Sequence, residues 1–132
     1  HITPRSVVKQ SLLDNFANDA DVTENMVDRY WELFRFPGNR RAAGFRATVD
    51  RELHYGQRLN ELTVPTLILW GEEDRVVPSF NAKTFNEMIP DSDLQIFAGV
   101  GHLAMEEAPE RTAEAIDAFL KEIETDTPDA AR

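Results

Sequence analysis

Apolar positions follow two different rhythms along the chain. Through the first fifty-odd residues they recur every three or four positions, the spacing of amphipathic helices. Val8, Leu12 and Phe16 lie four apart and predict a helix over 3–16, with Thr3 placed to cap it and Pro4 at the first helical position. Asn15 to Asp21 is polar and acidic, a turn. Thr23 opens a second helix, with Val22 before the cap and Val27 placed to staple against it. Its stripe is Met26, Val27, Tyr30, Trp31 and Phe34, and Pro37-Gly38 ends it. Asn39 begins a third, with Ala42, Phe45, Val49 and Leu53 on one face. No strand or hairpin turn interrupts these helices.

From residue 60 the pattern changes to short apolar runs separated by helical stretches. Thr66 to Trp70 is too apolar for a half-exposed strand and reads as a strand buried on both faces, the habit of parallel sheets. Gly71 stops it, and Asp74 follows in the loop. Ser79 can cap a helix over 80–89 with Ala82, Phe85, Met88 and Ile89 inward, and Pro90-Asp91 breaks it. Leu94, Ile96 and Phe97 mark a second strand over 94–98. Gly99 and Gly101 then loosen the backbone ahead of His102. Pro109 begins a last helix with Ala113, Ile116, Phe119 and Leu120 on its buried side. Glu106, Glu107 and Glu110 cluster near its start, where the helix dipole favours negative charge. Residues 122–132 are polar and aperiodic and read as a flexible tail. The expected class is α/β: two parallel strands with flanking helices, preceded by helices alone. Ligands of such sheets sit outside the carboxyl ends of the strands. Asp74 and His102 both lie there, and an acid meeting an imidazole is the orienting half of a catalytic triad.

Composition narrows the alternatives. With 14 basic against 24 acidic residues in 132, the formal net charge is −10. That argues against nucleic acid or an anionic membrane as a partner, since both need a positive surface. The absence of cysteine removes disulfides, thiolate catalysis and zinc–thiolate sites. A reducing, cytoplasmic compartment fits. No apolar run approaches the roughly 20 residues of a membrane span, and no signal-peptide shape opens the chain. His1 is not an initiator methionine, so the start reads as processed or truncated.

The run Pro65-Thr-Leu-Ile-Leu-Trp-Gly-Glu-Glu-Asp-Arg-Val-Val-Pro78 resembles the seventh strand and acid turn of the α/β-hydrolase fold family. Gly101-His-Leu-Ala-Met-Glu-Glu-Ala-Pro109 resembles its histidine loop. The order acid then histidine is also the family's. The resemblance covers residues 60–121 most fully, as the C-terminal part of the core. It extends over 1–59, where Val22 to Trp31 and Pro37 to Arg40 look like the latter part of a helical cap; a plain helical bundle on the sheet is the other reading. The resemblance implies a hydrolase in which His102 is the general base. The family's Gly-x-x-Asp pattern picks Asp74 as the acid over Glu72 and Glu73. No Gly-x-Ser-x-Gly occurs in the 132 residues, and no strand precedes residue 60. The nucleophile is therefore expected upstream, and this chain alone is expected to be inactive. An ester-like substrate is the first expectation; epoxide, haloalkane or carbon–carbon bond hydrolysis, or a non-catalytic interaction module, are the alternatives. Trp31 and Phe34 could line an apolar substrate pocket.

The remaining polar residues offer less. Gly99-Val-Gly-His-Leu-Ala104 matches a dinucleotide fingerprint, but the following helix is expected only at Pro109, and Glu106 and Glu107 would repel phosphate. His54 and His1 lack partners, so no metal-ligand spacing arises. No cofactor is expected. Arg40, Arg41, Arg46 and Arg75 read as solvated charges or surface ion pairs. None of Ser6, Ser11, Ser79 or Ser92 lies on a strand-to-helix elbow. Two strands leave an unpaired sheet edge, so an upstream segment or a second copy of the chain is expected to complete the core.

Overall fold

A computed structural model describes residues 4–48 and 54–126. Val49 and Leu53 of the expected third-helix face, the Thr3 cap and most of the expected tail lie outside the described residues. Three helices come first: α1 (Arg5–Asn15), α2 (Glu24–Arg35) and α3 (Asn39–Thr48). A short 3₁₀ turn (Asp19–Asp21) joins the first two, and a 3₁₀ segment (His54–Glu61) precedes the sheet. The sheet half then runs β1 (Thr66–Gly71), α4 (Phe80–Met88), β2 (Ser92–Phe97), a single turn α5 (Ala104–Glu107) and α6 (Pro109–Asp126). The chain is an α/β protein.

The first two helices form where the apolar spacing places them. Val8, Leu12 and Phe16 are buried in one cluster with Val22 and Val27. Thr23 Oγ1 accepts the Met26 N–H at 3.2 Å, the expected cap, and the buried Val22 and Val27 complete the staple. Helix α1 starts one residue later than expected, with Pro4 at the cap position and no side-chain cap bond. Gly38, at φ +95°, turns the chain between α2 and α3, a backbone region open to glycine. Helix α3 departs from expectation. Ala42 and Phe45 face solvent, Phe45 at 71% exposure, so no described element covers that face. His54 opens the 3₁₀ segment.

Strands β1 and β2 pair in parallel, Thr66 opposite Ser92 through Gly71 opposite Phe97, with α4 as the crossover that packs on both. Only Ile68 and Gly71 of β1 are buried; the rest are half-buried, although α4 covers the Ile68 and Trp70 face and α6 the Leu69 face, because β2 is the one strand beside β1 in the described sheet. Helix α4 buries Ala82 and, just past its end, Ile89; Phe85 stays 38% exposed and leans on Trp70, ring centroids 5.9 Å apart. Ser79 stands at its N-cap but makes no side-chain cap bond.

Helix α6 is rotated from the expected phase. Thr112 and Ala115 are buried and Phe119 is half-buried as expected, whereas Ala113, Ile116 and Leu120 are exposed. Small side chains let α6 sit close to the sheet on the face opposite α4, in a cluster of Phe97, Val100, Ala104, Ala108 and Ala115 with Leu69 of β1 packed against it. The helix runs to Asp126, so periodicity understates its length. Among the described residues, no helix is long and apolar enough to cross a membrane.

Candidate active site

Two turns meet beyond the carboxyl ends of β1 and β2. The first, Gly71 to Asp74, is tied to the second by main-chain bonds: Glu72 N–H donates to Phe97 O and Glu73 N–H to Val100 O, both at 3.0 Å. Gly71 must be glycine. A Cβ there would collide with the backbone of Val100 and the carbonyl of Gly101. Gly99 takes φ +72° and turns the chain after β2. Gly101 is a point of close approach rather than a loosened link. A Cβ on it would strike Asn15 O, Ala17 N and the Glu107 carboxylate.

The turns bring Asp74 and His102 together. Asp74 Oδ2 lies 2.8 Å from His102 Nδ1, with the Asp74 side chain only 3% exposed and the imidazole 34%. Asp74 Oδ1 accepts the backbone N–H groups of Val76 and Val77, each at 2.8 Å. Burial alone would raise the Asp74 pKa. The bond from His102 and the two backbone donors outweigh it and hold the carboxyl below its ordinary value. An ionised carboxylate only accepts, so His102 Nδ1 carries a proton in this bond, and in the neutral ring Nε2 is the nitrogen left with its lone pair. Glu72 and Glu73 are exposed and contribute only backbone N–H groups.

Residues to which the sequence pattern gives no part in the site complete the surroundings. His102 N–H donates to Asn15 O, the end of α1, at 2.7 Å. The Glu107 carboxylate accepts N–H groups from Ala17, Gly101 and Leu103. Glu106 takes both its contacts from α2, with Arg29 at 2.7 Å to each oxygen and the Tyr30 hydroxyl at 3.0 Å. These carboxylates bind specific partners rather than simply facing a helix dipole. Arg75 donates to Ala17 O at 2.8 Å and lies 3.6 Å from Asp19, so it ties the acid turn to the end of α1.

A groove of about 340 Å³ lies between α1 and α2, lined by Val7, Val8, Leu12, Tyr30 and Phe34 with the polar Ser11 and Asn15; it reaches Leu103, the residue after the histidine, and His102 itself does not line it. Phe34 is thus in the groove. Trp31 is not among its lining residues; it packs on the α1–α2 cluster, and Arg35 lies over its ring at 4.3 Å. The glycine-rich match at residues 99–104 holds no free anion site. A helical turn does begin at Ala104, earlier than expected, but Glu107 occupies the Gly101 and Leu103 N–H groups. Among the described residues no group of metal-ligating side chains assembles.

Residues 5–109 match the alpha/beta hydrolase fold family, and the chain belongs to it. It is 32% identical over 118 residues to the uncharacterised hydrolase YugF of Bacillus subtilis (strain 168), covering 86% of this chain and 42% of that protein. It is 43% identical over 95 residues to a 2-hydroxy-6-oxononadienedioate/2-hydroxy-6-oxononatrienedioate hydrolase of Cupriavidus pinatubonensis (strain JMP 134 / LMG 1197), covering 72% of this chain and 28% of that enzyme. Among solved structures, a serine hydrolase involved in carbazole degradation, the CarC enzyme, superposes with a TM-score of 0.76 at 25% identity, over 89% of this chain and 47% of that one. The chain spans less than half the length of each of these relatives.

Proposed function

We propose that this chain supplies the general base and the orienting acid of a hydrolase whose nucleophile lies outside residues 1–132. The observation that supports it is the 2.8 Å contact between a buried, ionised Asp74 and His102 Nδ1, which leaves Nε2 open. His102 Nε2 takes the proton of a nucleophile hydroxyl as its oxygen bonds to a substrate carbonyl carbon. The imidazolium, stabilised by Asp74, then returns that proton to the leaving group. The oxyanion hole also belongs to the complementary part, so most transition-state stabilisation arises there. The helical segment 1–59 acts as a cap portion, residues 60–121 as the C-terminal part of the core, and the groove that reaches Leu103 takes the apolar part of a small substrate against Phe34.

Carbon–carbon bond hydrolysis next to a ketone now stands ahead of ester cleavage, on the strength of what the 43%-identical relative is named for. Ester hydrolysis is the second reading, favoured by the apolar lining of the groove. The test uses this chain joined to its nucleophile-bearing segment, offered a 2-hydroxy-6-oxo-dienoate and a nitrophenyl ester. Turnover lost on His102→Ala supports the reading, and the preferred substrate identifies the bond. Full turnover in His102→Ala overturns it. If the reading frame holds no Gly-x-Ser-x-Gly or Gly-x-Asp elbow, the chain is instead a non-catalytic interaction module.

A further inference from the structure

We propose that Glu107 is the positioning residue for His102, a role that rests on His102 being the general base. Glu107 stands at the end of the single turn α5, and its side chain folds back over the histidine turn. Oε2 accepts the N–H of Gly101 at 2.9 Å and of Ala17 at 2.8 Å; Oε1 accepts the N–H of Leu103 at 3.2 Å. The peptide N–H groups on either side of His102 are therefore held by one carboxylate. The N–H between them, His102's own, goes to Asn15 O at 2.7 Å. Three consecutive peptide planes are fixed, and with them the direction of the His102 Cα–Cβ bond that aims the imidazole at Asp74. The main chain of Glu107 reinforces the hold, its N–H donating to Leu103 O at 2.9 Å.

The chemistry demands a carboxylate of this length. Three donors converge, and only an acceptor-only group with two oxygens satisfies all of them; a glutamine would turn an NH₂ against an N–H. An aspartate keeps the charge but falls one methylene short. Gly101 is the complementary requirement, since a Cβ there would strike Glu107 Oε1.

The experiment compares Glu107→Gln and Glu107→Asp with the unmutated protein. In the 132-residue chain, imidazole ¹⁵N and proton spectra report whether His102 keeps a slowly exchanging Nδ1–H. With the nucleophile segment joined, kcat and KM are read on the same variants. Both variants are expected to lose the protected Nδ1–H signal while circular dichroism stays unchanged. Their kcat is expected to fall by about 10- to 100-fold with KM little altered, the scale of a displaced catalytic group. Rescue by Glu107→Asp would point to charge rather than position and overturn the proposal, as would an intact Nδ1–H signal and unchanged kcat in Glu107→Gln. If the variants do not fold, scalar couplings across the hydrogen bonds from Gly101 and Leu103 nitrogen to the Glu107 carboxyl carbon decide in the unmutated chain; their absence sinks the role. Turnover surviving His102→Ala would instead remove the general-base reading and leave the Nδ1–H result standing.

Discussion

An imidazole bonded to a buried carboxylate has one nitrogen committed and the other available, and Asp74 imposes that division on His102. Asparagine has nearly the same shape but can offer an N–H where the carboxylate only accepts, which stabilises the wrong tautomer. With the nucleophile segment in place, Asp74→Asn is therefore expected to lower kcat by about 10⁴-fold. Glu72→Gln and Glu73→Gln, altering exposed side chains, should leave it near normal; steady-state kinetics on the three variants checks the assignment. The same carboxylate makes stability depend on acidity. Its pKa is depressed in the folded chain, so the unfolded chain binds the proton more readily. The contribution is present above the ordinary aspartate value of about 4 and is lost as pH falls through the lower folded value. Thermal unfolding followed from neutral pH into this acid range should show a steep decline that Asp74→Asn makes shallower. Equal slopes in both proteins would contradict it.

Between elements, the site depends on how closely two turns can approach. Gly71→Ala places a methyl group against Val100 and Gly101 backbone, which cannot yield as a flexible side chain would. A loss of about 1–3 kcal/mol in urea unfolding is expected, the usual range for overpacking. The protected His102 Nδ1–H signal should go with it. How far this was legible in the sequence differs by element. Helix α2 was readable because its cap, staple and stripe agree locally, and both strands were readable because each apolar run ends in glycine. Asp74 and His102 were legible from their place after strand ends together with the family resemblance. The phase of α6 was not. Periodicity favoured the bulky Ile116 and Leu120, whereas the described neighbours select Thr112 and Ala115, whose small size permits close packing. β1 is less buried than its composition predicts, since that composition suits a strand on each side and β2 is its one partner in the described sheet. Glu107 gave no separate signal, because an acidic residue near a helix start is equally well explained by the dipole.

Taken whole, the described structure leaves large apolar side chains in water: Phe36 at 66%, Phe45 at 71% and Phe80 at 66% exposure, with Ile116 and Leu120 also bare. A two-stranded sheet with open edges is marginal by itself. The purified 132-residue chain is expected to self-associate, and sedimentation equilibrium should show species above 15.0 kDa. A monodisperse monomer with cooperative unfolding would overturn that expectation. Alone, the chain should also cleave nitrophenyl esters no faster than free imidazole at equal concentration. Stoichiometric turnover abolished by His102→Ala would reveal a nucleophile among these residues.

The bond from the His102 main chain to the last carbonyl of α1 has a consequence in time as well as in space. That amide proton can reach deuterium only when α1 lifts from the histidine turn, so its exchange rate counts the lifting events. One nucleus, at the residue assigned the chemistry, becomes a clock for the helical layer above it.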